Sequence, residues 1–175
     1  RMRHLDRRSD ILANHGIHIA GTDFDRHVSL NSIMPVLGYG AYGPSIAGAE
    51  PRPVPSRVYF DLSTWHLINT VYQPARTAEL KNMGGFYGEP VHHTRLMKVI
   101  NDRLGHGLIS RAESAKIDVA TQGQAQIDLA MVERGLTRSL VHDEAAQALM
   151  ADLKRIVACA VDTVQQAGLK PEEVD

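Results

Sequence analysis

Apolar residues recur every three or four positions towards the carboxyl end of the chain. This spacing puts them on one face of a helix, and Gly168 supplies a stop just beyond it. We predict a long amphipathic helix over about residues 143–166. Its apolar stripe comprises Leu149, Leu153, Ile156, Val157, Ala160, Val161 and Val164.

Apolar and polar residues alternate along most of a segment that precedes this helix. Ile127, Leu129 and Met131 fall on one side of an extended segment, as in a half-buried strand over residues 125–133. Gly135 suits a turn, and residues 137–141 suit a return strand. The pattern predicts a hairpin.

Two signals bracket a first helix near the amino end. Thr22 and Asp25 fit a capping box, and Pro35 is expected to stop the helix at about residue 33. Before it, residues 10–15 read as a strand.

Proline residues also mark predicted helix boundaries in the middle of the chain. A helix is predicted to start at residues 61–64 and to break at Pro74. Another starts at Pro90, a favourable first helical position, and runs through a bend near Gly105 to about residue 119.

Residues 38–55 are rich in glycine and proline, which predicts a loop or an insertion. The run Gly38-Tyr39-Gly40-Ala41-Tyr42-Gly43 has neither the lysine of a P-loop nor a preceding strand. We interpret it as a flexible loop.

Composition narrows the class of protein. With 175 residues, 43% hydrophobic and 22% charged, the chain can form a core, and its elements predict an α+β fold with a small antiparallel or mixed sheet and several long helices. A net charge of -1 with interspersed signs argues against a nucleic-acid surface, and no apolar run approaches the ~20 residues of a membrane span.

A single cysteine fits a reducing cytoplasm. Cys159 lies in an apolar run, so we interpret it as core rather than a reactive thiol.

The nine histidines form none of the spaced sets that specify zinc, so no metal site is predicted. No serine, cysteine or histidine lies in a nucleophile-elbow setting, so no catalytic residue is predicted either.

The chain opens on Arg1 and closes on what reads as a helix-to-strand connection. We expect an excised piece of a larger protein.

Gly21 is the first candidate binding residue. A glycine lets another group approach the backbone closely, and the N–H groups that follow suit a polar ligand. Asp23 and Asp25 could form a metal or acid/base pair. Because alternate residues at a helix start do not share a face, we interpret them instead as acids favoured by the helix dipole.

Glu113 and Lys116 are neighbours on one helical face, with Ala120 one turn further on. Two readings remain open. The pair is an ordinary surface ion pair, or its carboxylate and ammonium bind the vicinal hydroxyls of a ribose while the small Ala120 leaves room for a base.

The order of these motifs is similar to that in a known family. The run from His18 to Asp25 resembles the Leu-Gly-Gly-Glu-Asp-Phe-Asp segment of the seventy-kilodalton heat-shock chaperones (DnaK-type), in the actin-like ATPase superfamily. The run from Glu113 to Ala120 resembles that family's Glu-x-Ala-Lys-x-x-Leu-Ser helix. The hairpin, the long helix and the closing Ala-Gly-Leu-Lys-Pro-Glu-Glu-Val-Asp follow in the same order as in that family. Within the family, the sequence most resembles the YegD-type branch.

This resemblance implies a fragment of the second lobe of a nucleotide-binding domain. Residues 1–19 would be edge strands of the lower half of that lobe, and residues 20–145 its upper half with a Gly/Pro-rich insertion at about 38–60. Residues 146–175 would be a helix returning to the lower half. The stretch 38–88 departs from the family.

For the site, the resemblance implies that Gly21, Glu113 and Lys116 contact the adenosine side of ATP. Ala120 replaces the serine that helps hold the base, which removes a hydroxyl. The parent protein would be an ATPase that uses ATP/ADP with magnesium, with client or co-chaperone proteins as partners. The phosphate-binding loops and catalytic carboxylates are not in this chain, so we expect no hydrolysis and no tightly bound cofactor here. The rival hypothesis is a non-catalytic, actin-like interaction module whose nucleotide binding has decayed.

Overall fold

The computed structural model describes residues 11–45, residue 47 and residues 50–174. Over these residues the fold is α+β, as predicted, with seven α-helices and one two-stranded antiparallel sheet. In chain order, the helices are α1 (Gly21–Val28), α2 (Arg57–Leu62), α3 (Ile68–Val71), α4 (Pro74–Lys81), α5 (Pro90–Asn101), α6 (Gly105–Gln122) and α7 (His142–Gln166). The strands are β1 (Gln124–Asp128) and β2 (Thr137–Val141). Short 3-10 turns lie at Asn82–Phe86 and Pro171–Glu173.

The chain divides into two compact units. The larger unit spans Gly21–Leu149, and the smaller unit combines the segment up to Ala20 with the segment from Met150 onward. Helix α7 therefore contributes its first eight residues, 142–149, to the larger unit and the rest to the smaller unit. The assignment of residues 1–19, 20–145 and 146–175 to the two halves of an actin-like lobe stays a prediction.

Helix α6 is the central element of the larger unit. It packs against α1, α2 and both strands of the hairpin. Its buried positions recur at the three- and four-residue spacing of a helix face. They are Gly105, Leu108, Ile109, Ala112, Ala115 and Val119. Because this face lies in the core, positions on the opposite side of α6 are left exposed.

The amino-terminal helix differs from its prediction at both ends. Helix α1 begins at Gly21, so Thr22 lies within the first turn and is not the N-cap that the capping box requires. The helical path also continues past the predicted stop, as a π-helical turn at Ser29–Ile33 and a 3-10 turn at Met34–Leu37. Pro35 is tolerated because the first turn of a helix does not need its missing N–H.

The middle of the chain forms three short helices rather than one. No helix starts at residues 61–64, because α2 ends there at Leu62, and Asp61 accepts a 3.0 Å hydrogen bond from Arg57 one turn earlier. Pro74 opens α4 instead of breaking a helix, since proline is favourable at a first helical position.

Helix α5 begins at Pro90 as predicted, but the predicted continuous helix is two helices. It ends at Asn101, Arg103 has a φ of 53°, and α6 starts at Gly105. A β-carbon at Gly105 would stand 2.6 Å from the Tyr72 hydroxyl oxygen. The break thus lets the backbone at Gly105 pack closely and donate its N–H to that hydroxyl at 2.9 Å.

The predicted hairpin is present, with Ala125 opposite Leu140 and Ile127 opposite Arg138. Strand β1 ends at Asp128 and not near residue 133, because the chain turns there. The Asp128 carboxylate accepts the N–H of Ala130 at 2.9 Å and fixes this turn.

The long helix is confirmed as α7, but much of the apolar stripe on the part that belongs to the smaller unit is exposed. Val157 is 61% exposed and Val161 is 42% exposed. Cys159 is free and only partly buried, which corrects its placement in the core. No helix in the described ranges combines the length and apolarity needed to cross a bilayer.

The predicted strand over residues 10–15 is not found where it can be examined. Residue 10 lies outside the described residues, and residues 11–15 form no regular element. A strand needs a neighbour for its N–H and C=O groups, and the one sheet of the described part consists of β1 and β2 alone.

Gly38, which ends the 3-10 turn with a φ of 104°, gives a test of this packing. A β-carbon there would lie 2.7 Å from the Tyr87 ring and 3.0 Å from the Tyr59 hydroxyl. Gly38→Ala should therefore lower the free energy of unfolding by about 2–4 kcal/mol in urea denaturation, through backbone strain and overpacking. The control Gly40→Ala also has positive φ but meets no atom within 4 Å, so it should cost only about 1 kcal/mol. Equal losses in the two variants would contradict the packing described.

The ion pair between Arg95 and Glu133 gives a pH test. It joins α5 to the hairpin turn at 2.6 Å, and the hydrogen bond from Arg95 lowers the pKa of the Glu133 carboxyl. A lowered folded-state pKa stabilises the fold above the unfolded pKa, and this contribution is lost as the pH falls through the folded value. Glu133→Gln should thus destabilise the chain at about pH 7, and it should matter less at an acidic pH below the ordinary glutamate pKa of about 4.3.

The control is Glu50→Gln, which replaces an exposed loop carboxylate and should change stability little at either pH. Thermal unfolding curves at both pH values measure the difference. A Glu133→Gln effect that persists unchanged in acid would show that the charge of Glu133 is not what stabilises the turn.

Candidate functional site

The two motifs singled out in the sequence meet in the larger unit. Gly21 opens α1, Lys116 lies in the second half of α6, and these two helices pack against each other. The Lys116 ammonium approaches the backbone carbonyl oxygen of Gly21 at 3.4 Å. The fold therefore joins two residues that are 95 positions apart in the sequence.

Lys116 also forms an ion pair with Asp25, one helical turn after Gly21. The ammonium nitrogen lies 2.5 Å from Oδ1 of Asp25, whose side chain is only 10% exposed. That oxygen is buried and accepts no hydrogen bond from the described residues, so its contact with Lys116 is an ion pair. An ammonium carries three N–H donors, so contacts with Asp25 and Gly21 leave one donor for another group.

Glu113 does not pair with Lys116. Its side chain is exposed and has no hydrogen bond or ion pair within the described part of the chain. Lys116 is turned towards α1 instead, where Asp25 holds it. The reading of Glu113 and Lys116 as an ordinary surface ion pair is therefore not what the structure contains.

Ala120 lies on the same exposed face of α6 as Glu113. Ile117, between them on this face, is 53% exposed. The surface next to Lys116 thus presents a carboxylate, then an aliphatic side chain and a small methyl group. This surface carries no hydroxyl at position 120. It can therefore offer a ligand a fitting shape and apolar contact there, but no side-chain hydrogen bond.

Gly21 leaves open space beside the ammonium. Its backbone is exposed, and a β-carbon built on it would lie 3.8 Å from the Lys116 nitrogen, an ordinary van der Waals distance. An alanine would therefore fit the free protein, but its methyl group would fill part of the space next to the remaining ammonium donor.

Asp25 is the site residue that sequence reasoning missed. We interpreted it with Asp23 as an acid favoured by a helix start, whereas it is buried and bound to α6. Local spacing held no signal for this, because its partner is remote in the sequence. An acid on the apolar side of a short helix was the one available hint, since buried carboxylates require a partner.

The other motifs assemble no comparable site. The Gly38–Gly43 run is a loop, as predicted, and the Gly43 N–H donates to the Arg52 carbonyl at 2.8 Å. Within the described ranges, no three histidine, cysteine or acidic side chains gather to hold a metal.

A separate open groove of about 970 Å³ lies between α4 and α5 and was not predicted. Lys81, His93 and Lys98 are among its lining residues. Lys98 is paired with Asp102, and His93 is hydrogen-bonded to the Leu80 carbonyl, so much of its polar lining is already engaged.

No protein-family model matches the chain, and no solved structure matches it.

The ion pair can be tested by stability. Lys116→Met should lower the free energy of unfolding by about 1–3 kcal/mol, because it leaves the buried Asp25 carboxylate without its partner. Adding Asp25→Asn should recover most of that loss in the double variant, which a double-mutant cycle measures. Lys98→Met serves as the control, since both partners of the Lys98–Asp102 pair are about half exposed. That control should cost less than about 1 kcal/mol, and an equal cost for Lys116→Met would contradict the buried pair.

Proposed function

We propose that this chain supplies the adenosine-side wall of the ATP site in a chaperone-like ATPase of the actin-like superfamily. The observation that carries the proposal is the convergence of Gly21 and Lys116, with an unpaired Glu113 beside them. These residues belong to the two motifs whose order resembles the heat-shock chaperone family. By itself the chain binds adenosine weakly and does not hydrolyse ATP.

The chemistry of the site suits a ribose. Two neighbouring hydroxyl groups each donate and accept one hydrogen bond. The remaining N–H of Lys116 can donate to one hydroxyl oxygen, and the free carboxylate of Glu113 can accept a hydrogen bond from the other hydroxyl. The bare backbone of Gly21 leaves the sugar room to approach, and Ala120 leaves room for a flat base.

The proposed parent protein is cytoplasmic and hydrolyses ATP to ADP and phosphate. Its phosphate-binding loops, its catalytic carboxylates and the magnesium ion would lie outside this chain, opposite the wall formed by α1 and α6. Binding of ATP would then close the site between this wall and the phosphate-binding wall. That closure would change how the parent protein binds client or co-chaperone proteins.

A second candidate is a non-catalytic, actin-like interaction module with decayed nucleotide binding. Ala120 favours it, because the methyl group offers a base no hydrogen bond. The open groove between α4 and α5 also favours it, since the α4 side of the groove belongs to the stretch 38–88, where the chain departs from the family. This candidate predicts that adenosine does not bind at Lys116 at all.

Adenosine binding separates the two candidates. In ¹H–¹⁵N NMR titrations of the chain, adenosine should shift amide signals at the start of α1 and around residues 113–120, with a dissociation constant on the order of millimolar. Lys116→Ala should weaken binding about tenfold, because it removes a charged donor. Lys81→Ala is the matched control, since Lys81 is an exposed lysine of the same unit without a partner among the described residues, and it should leave affinity unchanged.

Gly21→Ala makes the test sharper. Its methyl group fits the free protein, so stability should be kept while adenosine binding falls. Shifts confined to the groove between α4 and α5, or no shifts at all, would favour the interaction module.

A further inference from the structure

Two charges on one helix that should attract each other are held apart. Glu113 and Lys116 are three residues apart on α6, a spacing at which opposite charges normally pair. The Lys116 ammonium instead lies against Asp25 and the Gly21 carbonyl on α1, and Glu113 is left without a partner in the described structure. The choice of partner needs a physical cause.

Burial supplies that cause. Asp25 is 7% exposed and Glu113 is exposed, so the attraction between Lys116 and Asp25 acts through less water. A buried carboxylate without a cation is also costly, whereas an exposed one is solvated at no cost. Both effects favour the pair across the helices over the pair along α6.

We infer that Asp25 is a positioning residue of the ribose site. It occupies Lys116 from the α1 side, which points the remaining N–H donor outward and keeps Glu113 from being neutralised. This inference rests on the proposed function. Without the charge of Asp25, Lys116 is free to turn towards Glu113, and the two groups that should hold the sugar then bind each other.

The test compares adenosine with 2′,3′-dideoxyadenosine, which lacks both ribose hydroxyls. The full chain should bind adenosine about tenfold more tightly than the dideoxy compound. Asp25→Asn should reduce adenosine affinity to about that of dideoxyadenosine and should leave the affinity for dideoxyadenosine within about twofold. A merely structural role for Asp25 would weaken both nucleosides equally, and that result would overturn the inference.

The matched control is Asp61→Asn. Asp61 is another 7% exposed carboxylate with a basic partner, Arg57, but that pair lies within α2. This variant should keep the preference for adenosine. Loss of the preference in Asp61→Asn as well would show that buried charge in general, and not Asp25, sets the site.

A measurement without ligand keeps the two proposals separable. In the free chain, an NMR cross-peak between the Lys116 ε-protons and the Glu113 γ-protons should be absent, and it should appear in Asp25→Asn. Its absence from Asp25→Asn would overturn the inference even if adenosine binds. If the unmodified chain fails to distinguish the two nucleosides, the proposed function fails, while this cross-peak still decides whether Asp25 holds the lysine.

If Asp25→Asn does not fold, Glu113→Gln also tests whether Lys116 is held by Asp25 and not by Glu113. Because Asp25 holds Lys116, the NMR signal of the Lys116 ammonium should be unchanged in Glu113→Gln. A clear shift of that signal would overturn the inference.

Discussion

The contact between the Lys116 ammonium and the Asp25 carboxylate is the interaction on which this account depends. It ties α1 to α6, which is the central helix of the larger unit. It also decides what each partner presents to solvent, because a lysine held on one side can offer its remaining donor only on the other. The same ion pair thus contributes to the stability of the fold and to the proposed binding chemistry.

Elements whose signal was local could be predicted from the sequence. The hairpin followed from the alternation of apolar and polar residues, α7 from helical periodicity and the start of α5 from Pro90. Elements that depend on distant neighbours could not. The break before α6 arises because the backbone at Gly105 packs against Tyr72. Residues 11–15 form no strand, and the one sheet within the described residues pairs β1 with β2 alone.

The candidate site shows the same division. Its members on each helix, Gly21 on α1 and Glu113 and Lys116 on α6, could be picked out by residue type and spacing. That Lys116 would pair with Asp25 and not with Glu113 could not, since the choice depends on burial and on a partner far away in the chain. The assignment to a heat-shock-type ATPase stays a proposal, supported by the order of the motifs and by the chemistry of these side chains.

The most direct test is to locate a bound nucleoside by intermolecular NMR cross-peaks in the unmodified chain. The account predicts cross-peaks from the ribose protons of adenosine to the Lys116 ε-protons and the Gly21 α-protons. Cross-peaks that place the sugar elsewhere on the larger unit, with none to Lys116 or Gly21, would contradict it.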